Sequence, residues 1–215
     1  MVVALFANGD MDATAWARAY LAEVRAIVAA DGGVRHLLAL DLRPDVVIGD
    51  LDSFPPAQRE GLAAAGTRFI EHPAAKDETD LELALLYAVA RYDEPILIFG
   101  GLGGRLDQLF ANVLLLMHPH LRGASIRFVT EHQQLWLVQA ETAIVGEAGD
   151  TVSLIPLGAN VEVAATTGLL WPLRDETLSF GPARGLSNVM LEERATVSVK
   201  AGALLCVHTK KVWKR

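Results

Sequence analysis

The stretch Pro44–Ser53, PDVVIGDLDS, does most to limit what this chain can fold into. Val46, Val47 and Ile48 form an unbroken apolar run, the pattern of a strand covered on both faces. Gly49 ends the run, and two carboxylates, Asp50 and Asp52, follow with Leu51 between them. In open α/β sheets the loops after the strands converge on one crevice, so acids placed here stand where such folds bind ligands. The chemistry this points to is carboxylates holding magnesium for a nucleotide.

The same grammar repeats through the first half of the chain. Val2–Ala7 is a strand closed by Asn8-Gly9-Asp10, and Ala13–Ala22 has helical spacing. Ala26–Ala30 is a strand closed by Asp31-Gly32-Gly33, and Val34–Leu40 a short helix. Pro55-Pro56 opens a helix that Gly66 ends, Arg68–Glu71 is a strand, and Thr79 or Asp77 can cap the helix Leu81–Arg91. Ile96–Phe99 is a strand that runs into Gly100–Gly104 and the helix Gln108–Met117. Strands alternating with helices predict an α/β domain with a mostly parallel, Rossmann-like sheet.

After Pro119 the pattern changes to short β-rich runs. These are Ser125–Thr130, Leu135–Val138, Thr151–Ile155, Val161–Ala165, Thr196–Val199 and Ala203–Val207, separated by Gly, Asn and Pro turns. They predict an all-β sandwich or barrel. The boundary is expected near Leu121–Ala124, giving domains 1–122 and 123–215.

Composition narrows the function classes. Of 215 residues 52% are hydrophobic and 21% charged, enough apolar material for a full core. A net charge of −7 speaks against a nucleic-acid binder, which needs a basic face. It leaves room for a nucleotide enzyme, because divalent cations let acidic sites hold phosphate. Cys206 is the single cysteine and lies in an apolar run, which suggests a buried, inert thiol and fits a cytoplasmic setting. The N-terminus lacks a basic, then apolar, signal pattern, no apolar run reaches bilayer length, and the basic end KKVWKR reads as solvated, so no membrane partner is expected.

Asp31, Asp50, Asp52, Asp77, Asp80 and Asp107 each follow a predicted strand. Parallel strand ends share one edge, so these carboxylates gather in one cleft, where protons or cations must offset their repulsion. Any one of them could instead cap a helix, as could Asp10 and Asp12 for the first helix. Gly32, Gly33, Gly103 and Gly104 leave space for backbone N–H groups to approach phosphate, and Lys76 and Arg105 flank the acids. There is no GxxxxGK[ST] and no GxGxxG. The six histidines have no zinc spacing.

The segments ADGG (Ala30–Gly33), PDVVIGDLDS, KDETDLELAL (Lys76–Leu85), GGLGGRLDQ (Gly100–Gln108) and GLSNVM (Gly185–Met190) together resemble the thiamine pyrophosphokinase family. The resemblance spans nearly the whole chain. It implies a nucleotide-binding catalytic α/β domain, a thiamine-binding β-sandwich, and a homodimer whose active sites lie between the α/β domain of one subunit and the β domain of the other. The implied reaction turns ATP and thiamine into AMP and thiamine diphosphate. Asp50, Asp52, Asp77 and Asp107 are then the Mg2+ or phosphate-organising groups, with Asp80 nearby and Asp31 by the nucleotide. Lys76 and Arg105 bind phosphate, and Ser187 and Asn188 resemble a thiamine-contacting pair, although a tight turn between strands explains them equally. Trp171, in TTGLLWPL, either stacks on an aromatic ring or packs in the core. Gln108 stands where the family commonly has histidine. Two other readings remain: a diphosphokinase for another heteroaromatic alcohol such as 6-hydroxymethylpterin, and a non-catalytic nucleotide-binding module.

Overall fold

In the computed structural model, which describes residues 1–11, 14–52 and 54–211, continuous apolar runs become the strands of a parallel sheet. Asp12, Ser53 and most of the basic C-terminal end therefore lie outside the described residues. The chain divides into two units, Met1–Glu131 and His132–Arg215.

The first unit contains β1 (Val2–Phe6), β2 (Val24–Ala30), α1 (Val34–Leu38), β3 (Val46–Gly49), α2 (Pro56–Ala64), β4 (Arg68–Glu71), α3 (Asp80–Val89), β5 (Ile96–Phe99), α4 (Leu106–Leu115) and β6 (Ile126–Val129). The strands lie in the order β6-β5-β1-β2-β3-β4, and every neighbouring pair is parallel. Strands β1 to β4 are laid down in one direction; β5 and β6 are then added on the far side of β1. That reversal, between β1 and β5, is where open α/β sheets form a crevice.

Local chemistry sets the boundaries. Pro56 starts α2 at a position that needs no amide hydrogen, and Gly66 follows it at φ +96°. Thr79 caps α3, its Oγ1 accepting from Glu82 N at 3.2 Å. The helix expected over Ala13–Ala22 is instead a 3-10 helix, Ala15–Tyr20. Trp16 and Tyr20 pack around Phe99, with ring centroids 5.8 and 6.0 Å away, and Phe99 stacks on Phe6. Anchoring two aromatic rings to the sheet outweighs the helix preference of the alanines.

Ser125–Thr130, expected as the first strand of the β domain, supplies β6, which pairs in parallel with β5 inside the first unit. Its Ile126, Phe128 and Val129 are buried, as suits an added strand of this sheet.

The second unit contains β7 (Gln133–Val138), β8 (Glu141–Val145), β9 (Thr151–Pro156), β10 (Val161–Thr167), β11 (Arg174–Leu178), β12 (Asn188–Val189), β13 (Arg194–Ala201) and β14 (Leu204–Thr209). They form two antiparallel sets, β12-β9-β14-β7 and β11-β10-β13-β8. Alternate residues of both sets, among them Val152, Leu154 and Cys206 from one and Val161, Val163 and Val197 from the other, share one apolar core. Cys206 is fully buried. Strands β11 and β12 carry little apolar signal: β11 reads RDETL, and only Leu178 is buried. No helix among the described residues is long and apolar enough to cross a membrane.

Candidate active site

The loops after β1 to β5 line a cleft of about 570 Å3, within the range of small-molecule sites. Ala7–Asp10 come from the end of β1, Asp31 from β2, Asp50 from β3, Lys76 and Glu78–Leu81 from the β4–α3 connection, and Gly103–Arg105, Gln108 and Asn112 from the β5–α4 region.

Three carboxylates come together, two of them, Asp31 and Asp50, from the cleft lining. One oxygen each of Asp31, Asp50 and Asp52 can be chosen so that all lie within 4.8 Å of one another. At that spacing each pair of charges repels by about 1 kcal/mol in water and about 3 kcal/mol in a partly buried setting. The turn that presents them is strained. Leu51 adopts φ +61° with its side chain buried in the core, and Asp31 adopts φ +40°. A left-handed backbone at a leucine is unfavourable, and here it accompanies a side chain that fills the core while Asp50 and Asp52 gather with Asp31. Asp52 N donates to Asp50 Oδ1 at 3.3 Å.

Gly49 brings a fourth acid close. A Cβ at this position would stand 2.8 Å from Asp31 Cβ and 3.2 Å from Asp80 Oδ1. Asp80 Oδ1 is buried and lacks a well-aligned hydrogen bond among the described residues, although Lys76 Nζ forms an ion pair with it at 2.9 Å. The two observations agree if the contact is a charge pair whose angle falls short of a hydrogen bond. Burial works against the Lys76 charge, yet Asp80 first, then Asp50 and Asp31, lift its pKa above the ordinary lysine value. A crowded set of hard oxygen donors with one under-satisfied buried oxygen suits a hard divalent cation.

The other expected residues are placed less centrally. Asp52, Asp77 and Asp107 are not among the residues that line the cleft, although Asp52 meets Asp31 and Asp50. Asp107 is gripped by Arg105, whose Nε donates at 3.0 Å and whose Nη2 donates to the second oxygen. That fork, with a further bond from Gln108 N, holds the Asp107 carboxyl below the usual range. Gly32 and Gly33 are needed for packing: a Cβ would lie 2.6 Å from the Asn8 amide nitrogen and 2.1 Å from Phe6 O, respectively.

Sequence reasoning missed Asn8, Gly9, Asp10, Gln108 and Asn112 as cleft residues. The signal for the first three was present, because Asn8-Gly9-Asp10 repeats the glycine-and-acid punctuation of the other strand ends. The loop is locked in place. Gly9 and Gly103 are so close to the facing backbones that a Cβ would come within 2.3 Å of Gly100 O and 2.2 Å of Asp10 O. Burial foremost, and Arg35 behind it, hold His36 below the ordinary imidazole value against the opposing Gly9 contact. The neutral ring then donates from Nε2 to Gly9 O at 2.9 Å. Asn112 Nδ2 donates to Gly101 O at 2.8 Å and steadies the glycine loop.

In the second unit Trp171 is exposed, Asn188 is buried, and Ser187 takes φ +56° with its N–H donating to Ser153 Oγ at 3.0 Å.

An α/β unit with an acid-rimmed cleft at its strand ends, followed in sequence by an antiparallel β unit, defines a two-unit α/β-plus-β protein whose cleft suits a cation and phosphate. Residues 17–128 match the family model for the thiamin pyrophosphokinase catalytic domain, and residues 139–204 match that for the thiamin pyrophosphokinase vitamin B1 binding domain. The chain belongs to the thiamin pyrophosphokinase family. It is 28% identical to thiamine pyrophosphokinase of Bacillus subtilis over 184 residues, covering 85% of this chain and 86% of that one. It is 30% identical to thiamine pyrophosphokinase 3 of rice over 169 residues, covering 73% of this chain and 62% of the longer plant protein. Among solved structures, the Bacillus subtilis thiamine pyrophosphokinase superposes with a TM-score of 0.85 at 26% identity, covering 98% of this chain and 99% of that one. The Geobacillus thermodenitrificans thiamin pyrophosphokinase gives 0.83 at 30% identity, covering 98% of each.

Proposed function

We propose that this chain transfers the β,γ-diphosphoryl group of ATP to the hydroxyl of thiamine, giving thiamine diphosphate and AMP, with Mg2+ as its divalent cation. The observation that carries the reading is the meeting of Asp31, Asp50 and Asp52 beside the buried Asp80 oxygen, at a strand-end cleft in a chain of this family. The thiamine oxygen attacks the β-phosphorus, the bond from that phosphorus to the oxygen bridging it to the α-phosphorus breaks, and AMP departs with the bridging oxygen. The hydroxyl proton passes to a base. The substrate supplies the nucleophile, so the protein's task is in-line positioning and charge compensation.

Asp50 and Asp52, with Asp31 beside them, hold the cation; the same reading assigns Asp77 and Asp107 to the cation or to phosphate organisation. A bound divalent cation would offset phosphate charge and polarise the phosphoryl oxygens. Lys76, aimed by Asp80, and Arg105 bind phosphate oxygens, and the Gly32-Gly33 and Gly103-Gly104 backbones approach the nucleotide. Trp171 offers its exposed face to the thiamine ring system, with Ser187 at the same site. The first unit, Met1–Glu131, is the catalytic part and the second, His132–Arg215, the thiamine-binding part.

The working unit is a cytoplasmic homodimer that shares its active sites between subunits. Support comes from α4 and its C-terminal flank, where Leu106, Phe110, Leu114 and Met117 recur at helical spacing and are all exposed. Such an apolar stripe is expected to be covered by another surface.

Purified protein incubated with ATP, Mg2+ and thiamine should yield AMP and thiamine diphosphate in equal amounts. Chelation should stop turnover and Mg2+ should restore it. Turnover of 6-hydroxymethylpterin with none of thiamine would overturn the acceptor assignment. Light scattering should give twice the 23.2 kDa chain mass, and Phe110→Asp should halve it.

A further inference from the structure

We propose that Asn188 is a positioning residue that acts through Trp171 and does not itself touch the acceptor. The inference rests on the reading of Trp171 as the thiamine platform. The segment Thr166–Leu173 connects β10 to β11 and is fastened at each level. At its base Thr166 N donates to Leu173 O at 3.0 Å, and Leu173 N donates to Thr166 Oγ1 at 2.8 Å. In its middle Leu170 N donates to Val189 O and Leu191 N to Gly168 O, both at 2.9 Å.

At the tip the fastening comes from one side chain. Asn188 Oδ1 accepts from Trp171 N at 3.0 Å and from Val189 N at 2.9 Å, while Asn188 Nδ2 donates to Trp171 O at 2.7 Å. An amide oxygen has two lone pairs, and both are engaged. Asn188 is 6% exposed, whereas Trp171 is 59% exposed. The buried amide thus satisfies the N–H and C=O of Trp171 as a neighbouring strand would. It fixes the backbone from which the indole projects while leaving the ring free to meet a ligand. An aromatic platform held before binding loses less freedom when the ligand arrives.

Two measurements test this. In protein labelled with 5-fluorotryptophan, the Trp171 fluorine resonance is identified by its loss in Trp171→Phe. In the ligand-free state Asn188→Ala should shift and broaden that resonance. Asn188→Asp, which keeps the shape and the acceptor but loses the donor to Trp171 O, should do the same if the alanine variant folds poorly. In steady-state assays Asn188→Ala should raise the thiamine KM about 10- to 30-fold, the scale of two lost hydrogen bonds, with kcat and the ATP KM unchanged. Trp171→Leu should also raise it, and the double variant should match Trp171→Leu alone. Multiplicative effects of the two substitutions, or an unmoved Trp171 resonance in both Asn188 variants, would overturn the inference. Absence of thiamine turnover by the unaltered enzyme would defeat the acceptor assignment instead, with the fluorine spectra still deciding whether Asn188 holds Trp171.

Discussion

Asp50 and Asp150 show how differently one side chain can be used in two regions of the same chain. In the second unit Asp150 is 3% exposed and amply partnered. Glu147 N donates to it at 2.9 Å, Lys211 N at 2.8 Å, and the buried His208 ring lies 2.8 Å away. Burial alone would raise its pKa, but these hydrogen bonds bring the carboxyl below its ordinary value. In the first unit Asp50 stands within 4.8 Å of two other carboxylates on a strained turn, beside an acid with an under-satisfied oxygen. One arrangement spends its hydrogen bonds on holding the fold. The other keeps negative charge concentrated where a cation and phosphates can use it, against the interest of stability.

The largest test of that contrast is Asp52→Asn. It should lower kcat/KM by roughly 10²- to 10³-fold while the melting temperature holds or rises, because a like charge is removed. An equal loss of folding would erase the distinction. Asp150→Ala should do the reverse, costing about 3 kcal/mol in urea unfolding with kcat unchanged. Gly49→Ala should fall between the two. The new methyl collides with Asp31 and Asp80, so about 1–3 kcal/mol of stability and much of the activity should be lost together.

Acid titration sharpens the comparison further. The folded pKa of Asp150 is depressed, so its contribution is present above the unfolded value of about 3.9 and disappears as the pH falls through the lower folded value. Asp150→Asn should therefore flatten the acid limb of a stability–pH curve and leave the neutral limb parallel. The smallest effect belongs to Asp175→Asn, which removes an exposed pair with Lys200. Neither melting temperature nor turnover should change, since solvent screens such a pair.

Much of the first unit was legible because buried parallel strands are continuous apolar runs with sharp ends. Asp31, Asp50 and Asp80 could be placed near the cleft from strand ends alone. The same rule drew in Asp52, which meets Asp31 and Asp50 without lining the cleft, and Asp77 and Asp107, which do not line it either, because sequence position does not tell which way a loop side chain turns. Strands β11 and β12 escaped notice because they are polar or short, and β8 because its pairing with β13 lies with a neighbour remote in the chain. For β6 the run was visible, but whether it joined a parallel or an antiparallel neighbour was not.

The sequence by itself determined that strands alternate with helices before a β-rich half, and that glycine and aspartate punctuate the strand ends, since these follow from hydrophobic period and backbone permissiveness. It also placed GDLD directly after a buried strand. Only the tertiary structure decided that Asp31, Asp50 and Asp52 meet with Asp80 beside them, and that Asn188 turns inward to hold Trp171. Those outcomes depend on a left-handed turn at Leu51, a missing Cβ at Gly49 and hydrogen bonds across 17 positions. They are distances between segments, which no local pattern encodes.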